Sequence, residues 1–172
     1  MSGCNIVKGL AIVGENGARL LGTPLVVGSE VKDMEVKMFS KAKETEGSIL
    51  LFDDSLVLYK IVEDLCIILY APIEENEIAL SNALDAFYTA CVKVIRGPLS
   101  QKSLAKHYDE VFLLIDAFIY KTILITDSAA DLIEKVPKRS FEGLDGAIQM
   151  PTKFSSVFKK AQKSFPTSWF KM

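Results

Sequence analysis

Ser48-Ile49-Leu50-Leu51-Phe52-Asp53-Asp54-Ser55-Leu56-Val57-Leu58-Tyr59-Lys60-Ile61-Val62-Glu63-Asp64-Leu65-Cys66-Ile67-Ile68-Leu69-Tyr70-Ala71 is the stretch whose reading decides the fold. It divides into three apolar strands, Ile49 to Phe52, Leu56 to Ile61 and Leu65 to Ala71, parted by short acidic turns. The last strand hardly alternates between apolar and polar residues, so both of its faces need cover. A central position between two helical layers supplies that cover. Glu74-Glu75-Asn76 then opens a helix, with negative charge where the helix dipole favours it. Ile78, Leu80, Leu84, Phe87, Tyr88, Cys91 and Ile95 trace its broad apolar face, and Arg96-Gly97-Pro98 offers a basic last turn, a capping glycine and a proline stop.

Upstream, Asn5 to Val13 and Ala18 to Pro24 flank Glu15-Asn16-Gly17, a hairpin signal because Asn and Gly tolerate positive φ. The glycines at 9, 14 and 17 do not make a phosphate loop, since no Gly-Lys-Ser/Thr ending and no helix follow. Ser29 to Glu44 reads as an amphipathic helix with a narrow stripe of Val31, Met34, Met38 and Ala42, and Ser29 as its N-cap. Downstream, one helix is expected from about Ser100 to Lys121, carrying Leu104, Tyr108, Val111, Phe112, Ile115, Phe118 and Ile119 on one side. Asp127-Ser128 caps a short helix that runs to about Lys135.

The organisation expected is therefore a domain over residues 1–137, a polar linker over 138–151 and a basic amphipathic tail over 152–172. In the tail, Lys153, Lys159, Lys160, Lys163 and Lys171 occur without an acidic residue, interleaved with Phe154, Val157, Phe158, Ala161 and Phe165 and an aromatic end at Trp169-Phe170. The favoured reading is a terminal helix packed on the body or on a partner, with anionic headgroups as the alternative contact.

A chain of 172 residues supports one good core and not two. Its mean hydropathy of +0.25 is high enough to leave apolar surface for a partner, while a net charge of −2 gives no reason to expect nucleic acid. Met1-Ser2-Gly3-Cys4 lacks a basic region followed by an apolar run, and no stretch approaches the roughly 18 uncharged apolar residues of a spanning helix, so secretion and membrane insertion are not expected. Cys4, Cys66 and Cys91 form no CxxC pair, and the last two sit in apolar elements as small hydrophobes. A reducing cytosolic compartment follows.

Chemistry finds little purchase. The acidic pairs at 53–54, 63–64 and 74–75 fall at turns and a helix start, where Asp and Glu have local reasons to stand. His107 is the single histidine and has no second member with which to build a triad or metal site. No catalytic, cofactor-binding or metal-ligating residue is assigned, and no small-molecule substrate is expected. A sensor or hydrolase using the glycine-rich hairpin or the acidic turns is the distant alternative.

Two strand hairpins, a bridging helix, a long helical pair and a tail resemble the longin-like (SNARE-like) domains. Within that class Ser48-Ile49-Leu50-Leu51, Leu56-Val57-Leu58-Tyr59-Lys60, Asp64-Leu65, Glu75-Asn76-Glu77-Ile78-Ala79-Leu80, Val111-Phe112-Leu113-Leu114-Ile115-Asp116 and Ile123-Leu124-Ile125-Thr126-Asp127-Ser128 are similar to the zeta subunits of coatomer. The resemblance runs from about Ile6 to Val136. It implies an α+β fold: a five-stranded antiparallel sheet with the Ser29–Glu44 helix on one face, the paired helices on the other and a C-terminal helical extension. It also implies a non-catalytic subunit of the COPI coat, without cofactor. Such a subunit is held by the trunk of the gamma large subunit and reaches Golgi membranes and coated vesicles through a small GTPase. The alternative within the fold is a sigma-type small chain of a clathrin adaptor or another trafficking longin-domain subunit; Ile61, where sigma chains tend to be basic, and the long tail count against a sigma chain. Apolar residues left over once the core is filled mark the partner surface, for which Phe112, Leu113, Leu114, Tyr120, Phe158 and Trp169 are the candidates.

Overall fold

The computed structural model describes residues 5–24 and 27–136. Strands β1 (Gly9–Gly14) and β2 (Arg19–Thr23) form the first hairpin, followed by helix α1 (Ser29–Glu44). Strands β3 (Ile49–Phe52), β4 (Ser55–Val62) and β5 (Leu65–Pro72) come next, then helix α2 (Glu77–Ile95). The remaining elements are α3 (Gln101–Lys106), α4 (Tyr108–Phe118), β6 (Ile119–Tyr120), β7 (Ile123–Leu124) and α5 (Ala129–Lys135). The main sheet is antiparallel throughout, in the order β2-β1-β5-β4-β3. The expected longin-like architecture is thus the one observed.

The unalternating strand explains itself in this frame. β5 sits at the centre of the sheet, and its successive side chains feed two different cores. Leu65, Ile67, Leu69 and Ala71 join Leu10, Ile12, Leu56 and Leu58 beneath α2, α4 and α5. Cys66, Ile68 and Tyr70 join Ala11, Val13, Val57 and Tyr59 beneath Met38, Phe39 and Ala42 of α1. A strand with period-two geometry and two apolar faces must be apolar at every position.

Turns and caps come from local chemistry. Gly17, at φ 77°, closes the first hairpin, with its N–H donating to Gly14 O at 2.9 Å. Asn76 caps α2, its side-chain oxygen accepting from the N–H groups of Ile78 and Ala79 at 3.0 and 3.1 Å. Ser128 caps α5 by accepting from the N–H of Asp131.

Several expectations shift. α1 is capped by Gly28, without a side-chain bond, and Ser29 is its first residue. The left-handed residue that ends α2 is Arg96, at φ 57°, and not Gly97. Ile78, in the first turn of α2, lies outside its buried face and is 68% exposed. By length and composition α2 could cross a membrane, a possibility the sequence reading set aside. Its apolar content has a different use: Leu80, Ala83, Leu84, Phe87, Ala90, Cys91 and Ile95 are buried in the core, where Phe87 stacks on Phe118 with centroids 4.9 Å apart.

The single helix expected over 100–121 is two helices and a strand. Ser100 and Ser103 form a capping box at the start of α3, and His107 closes it with its N–H on Ser103 O at 3.1 Å. That break turns Tyr108 outward and leaves Val111, Leu114, Ile115 and Phe118 as the buried face of α4. After Phe118 the β-branched and aromatic run takes over as strand. Ile119 pairs with Leu124 and Tyr120 with Ile123 across a turn in which Lys121 has φ 57°.

Candidate partner surface

The helix α4 and the strand that follows it place four of the residues singled out as a partner surface. Phe112 is half-buried against the main core. Leu113 points outward at 39% exposure and Tyr120 at 57%. Leu114 is fully buried and belongs to the core, which corrects its assignment to the surface. Three consecutive apolar residues on a helix span about 200° of its circumference, so they cannot all share one side. Phe158 and Trp169 lie outside the described residues, as do the 138–151 linker and the 152–172 tail.

Two groups of large apolar side chains stand in solvent beside these. One is on the edge strand β3, where Ile49 and Leu51 lie opposite Leu58 and Leu56, past the cover that α2 gives to β4. The other surrounds the β6–β7 ribbon and comprises Ile6, Tyr120, Ile123 and Ile125. Sequence reasoning marked Tyr120 there and missed the isoleucines. Their signal was spacing: Ile123 and Ile125 are two apart and so project from one face of an extended segment, with polar Thr126 following.

The titratable residues have structural occupations. Asp53 and Glu63 adopt positive φ, 49° and 48°, at the tips of the β3–β4 and β4–β5 hairpins. Asp64 accepts from the Gln101 N–H at 2.9 Å through Oδ1, and its backbone oxygen accepts from Gln101 Nε2 at 3.0 Å, tying the start of α3 to the sheet. His107 Nδ1 contacts the Glu110 carboxylate one turn along α4. Burial pushes the Cys66 thiol up to about 12 and the Cys91 thiol upward as well, which removes thiolate nucleophilicity at neutral pH. Among the described residues, no three His, Cys, Asp or Glu side chains gather as a metal site.

One buried charge was not foreseen. Glu35 of α1 is 1% exposed; Arg19 of β2 pairs with it, and the Tyr70 hydroxyl donates to it at 3.2 Å. Arg19 also donates to Pro24 O at 2.5 Å. Burial raises the pKa of Glu35 above the ordinary carboxylate value, against the opposing pull of Arg19 and Tyr70. The same burial, with the adjacent carboxylate, pushes Tyr70 up to about 12. The network fastens α1 to the sheet. A cavity of about 330 Å³ opens beside it, lined by Arg19, Leu20, Lys32 and Tyr108 among others.

No protein-family model matches the chain. It is 30% identical over 158 residues to coatomer subunit zeta of Encephalitozoon cuniculi (strain GB-M1), covering 92% of this chain and 93% of the relative. Identity to coatomer subunit zeta-3 of Oryza sativa subsp. japonica is 27% over 180 residues, covering 99% of each chain. Coatomer subunit zeta of Saccharomyces cerevisiae is 28% identical over 134 residues, with 78% of this chain and 71% of the relative covered. The fold is similar to that of a chain in a homology model of the full-length AP-3 complex in a stretched open conformation, at a TM-score of 0.57 and 11% identity. That match covers 94% of this chain and 100% of the other. Relatives aligned over nearly their whole length, on a fold read independently from the strands, place the assignment beyond a local likeness: the chain belongs to the coatomer subunit zeta family.

Proposed function

We propose that this chain is a non-catalytic structural subunit of the COPI vesicle coat and pairs with the gamma large subunit in Golgi-to-endoplasmic-reticulum and intra-Golgi transport. The observation that carries the proposal is the 30% identity to a coatomer zeta subunit across 92% of the chain. The fold supports it: a five-stranded sheet covered on both faces, in which Asp64 ties α3 to the sheet and Glu35 fastens α1. The exposed apolar side chains Leu113, Tyr120, Ile123 and Ile125 are the material of a stable subunit contact. In this reading the protein works in the cytoplasm and sits peripherally on the cytosolic side of Golgi membranes and COPI-coated vesicles, brought there within the coat by a small GTPase. The basic tail, Lys153 to Lys171, adds a second element for the coat or the membrane.

Calorimetry of the purified chain with the trunk of the same organism's gamma-type subunit tests the pairing. Saturable one-to-one binding is expected, and a flat titration contradicts it. Within that complex, Leu113→Glu is expected to weaken binding at least tenfold while leaving the circular dichroism spectrum and the thermal midpoint near wild type, because the side chain already faces solvent. A variant that unfolds instead would make Leu113 a core residue.

A further inference from the structure

The N-terminal segment ahead of β1 and the β6–β7 ribbon make a small sheet of their own. Ile6 bridges to Ile123, and Tyr120 pairs with Ile123 on the other side. Leu124 N–H donates to Asn5 O at 3.0 Å and Val7 N–H to Thr122 O at 2.8 Å, so three chain segments lie side by side. Residues directly opposite in antiparallel pairs project from the same face. Tyr120, Ile123 and Ile6 therefore form one row across the ribbon, and Ile125 lies two residues further along the middle segment. The reverse face carries Val7 and Ile119, both buried. This is a sheet fragment with a satisfied inner face and an outer face built from four large apolar side chains, exposed at 46% (Ile6), 57% (Tyr120), 40% (Ile123) and 44% (Ile125).

We infer that this outer face is the seat of a helix from a larger partner chain, an inference that rests on the coat-subunit reading above. Size selects the occupant. The four side chains expose on the order of 400 Å². Two copies of this chain meeting through the ribbon would bury about 800 Å² in total, below the roughly 1,200 Å² at which stable protein pairs begin. A self-association through this face is therefore too small to persist. A large chain that continues past the ribbon to Leu113, at 39% exposure, is not limited in this way. Shape selects a helix: the outer two of three strands stand about 10 Å apart, the diameter of a helix with its side chains. The row would accept an apolar i, i+3, i+7 ridge. Lys121, stacked 5.5 Å over the Tyr120 ring at the turn, gives that ridge an acidic residue to meet at one end.

The test uses the full chain, the gamma-type trunk of the same organism and the variant Ile6→Ser/Ile123→Ser, with Ile49→Ser/Leu51→Ser on the β3 edge as the control. The expected result is at least a tenfold loss of trunk affinity for the ribbon variant and less than a threefold change for the control. Equal affinity for wild type and a folded ribbon variant overturns the inference while leaving the coat reading intact. Failure of the wild-type chain to bind the trunk overturns the coat reading itself. Should the ribbon variant fail to fold, hydrogen exchange on the wild-type pair decides. Slowed exchange at 119–125 on adding trunk supports the seat, and unchanged exchange there overturns it. Binding of the ribbon face to anionic vesicles in a flotation assay, lost in the same variant and without a trunk effect, also overturns it in favour of a lipid contact.

Discussion

Burying Glu35 sets two effects against each other. Desolvation disfavours its charge, while Arg19 and the Tyr70 hydroxyl favour it, and the first is the larger. A carboxyl whose pKa is higher in the fold than in the unfolded chain is bound to its proton more readily when folded. Its contribution to stability is therefore greatest below the ordinary carboxylate value of 4.5 and declines as pH rises through the folded value. Glutamine at this position does not titrate. Urea unfolding of wild type and Glu35→Gln at pH 5 and pH 7.5 is expected to show the difference moving toward the wild type at the lower pH. A difference independent of pH would mean that Glu35 is ionised in both states alike. The two buried cysteines give a second check at this scale: Cys66 and Cys91 are expected to ignore a disulfide reagent in the native protein and to react once denaturant is added. The apolar residues of α1 announced a helix, but nothing in their spacing marks Glu35 as buried. Its burial depends on Arg19 arriving from a strand sixteen residues earlier, a pairing that periodicity does not encode.

Helix ends were legible where a side chain does the capping and less so where backbone geometry does. Asn76 and Ser128 cap as their residue types suggest, whereas Gly28 caps α1 without a side chain and Arg96 takes the left-handed position beside a glycine. Replacing Asn76 by Ala is expected to cost about 1 kcal/mol, from two N–H groups left without their acceptor, read as a lower urea midpoint at unchanged slope. The split of the 100–121 segment was hidden for a related reason. Leu104, Tyr108, Val111, Ile115 and Phe118 fit one continuous helical stripe, and only the capping box between Ser100 and Ser103 and the closure at His107 reset the register. Tyr108 is exposed and Leu114 buried in this register, while Leu113 and Tyr120 face solvent. The β6–β7 ribbon escaped because its turn, Lys121-Thr122, carries neither glycine nor asparagine.

For the whole molecule, the sheet was the most legible part. A strand without alternation must be covered on both faces, and β5 alone required the two cores that the described residues contain. The partner surface was less so, since an exposed leucine and a buried one are the same letter until the helix register is known. The chain belongs to the coatomer zeta family, and the proposed use of its exposed apolar groups is contact with a large coat subunit. Affinity purification of the tagged chain from cells of its own organism, with co-purifying proteins weighed by mass spectrometry, tests this most directly. A stoichiometric gamma-type coatomer subunit accompanied by the remaining coat chains is the expected result. Recovery of an adaptin-type large chain, or of the tagged protein alone, would contradict it.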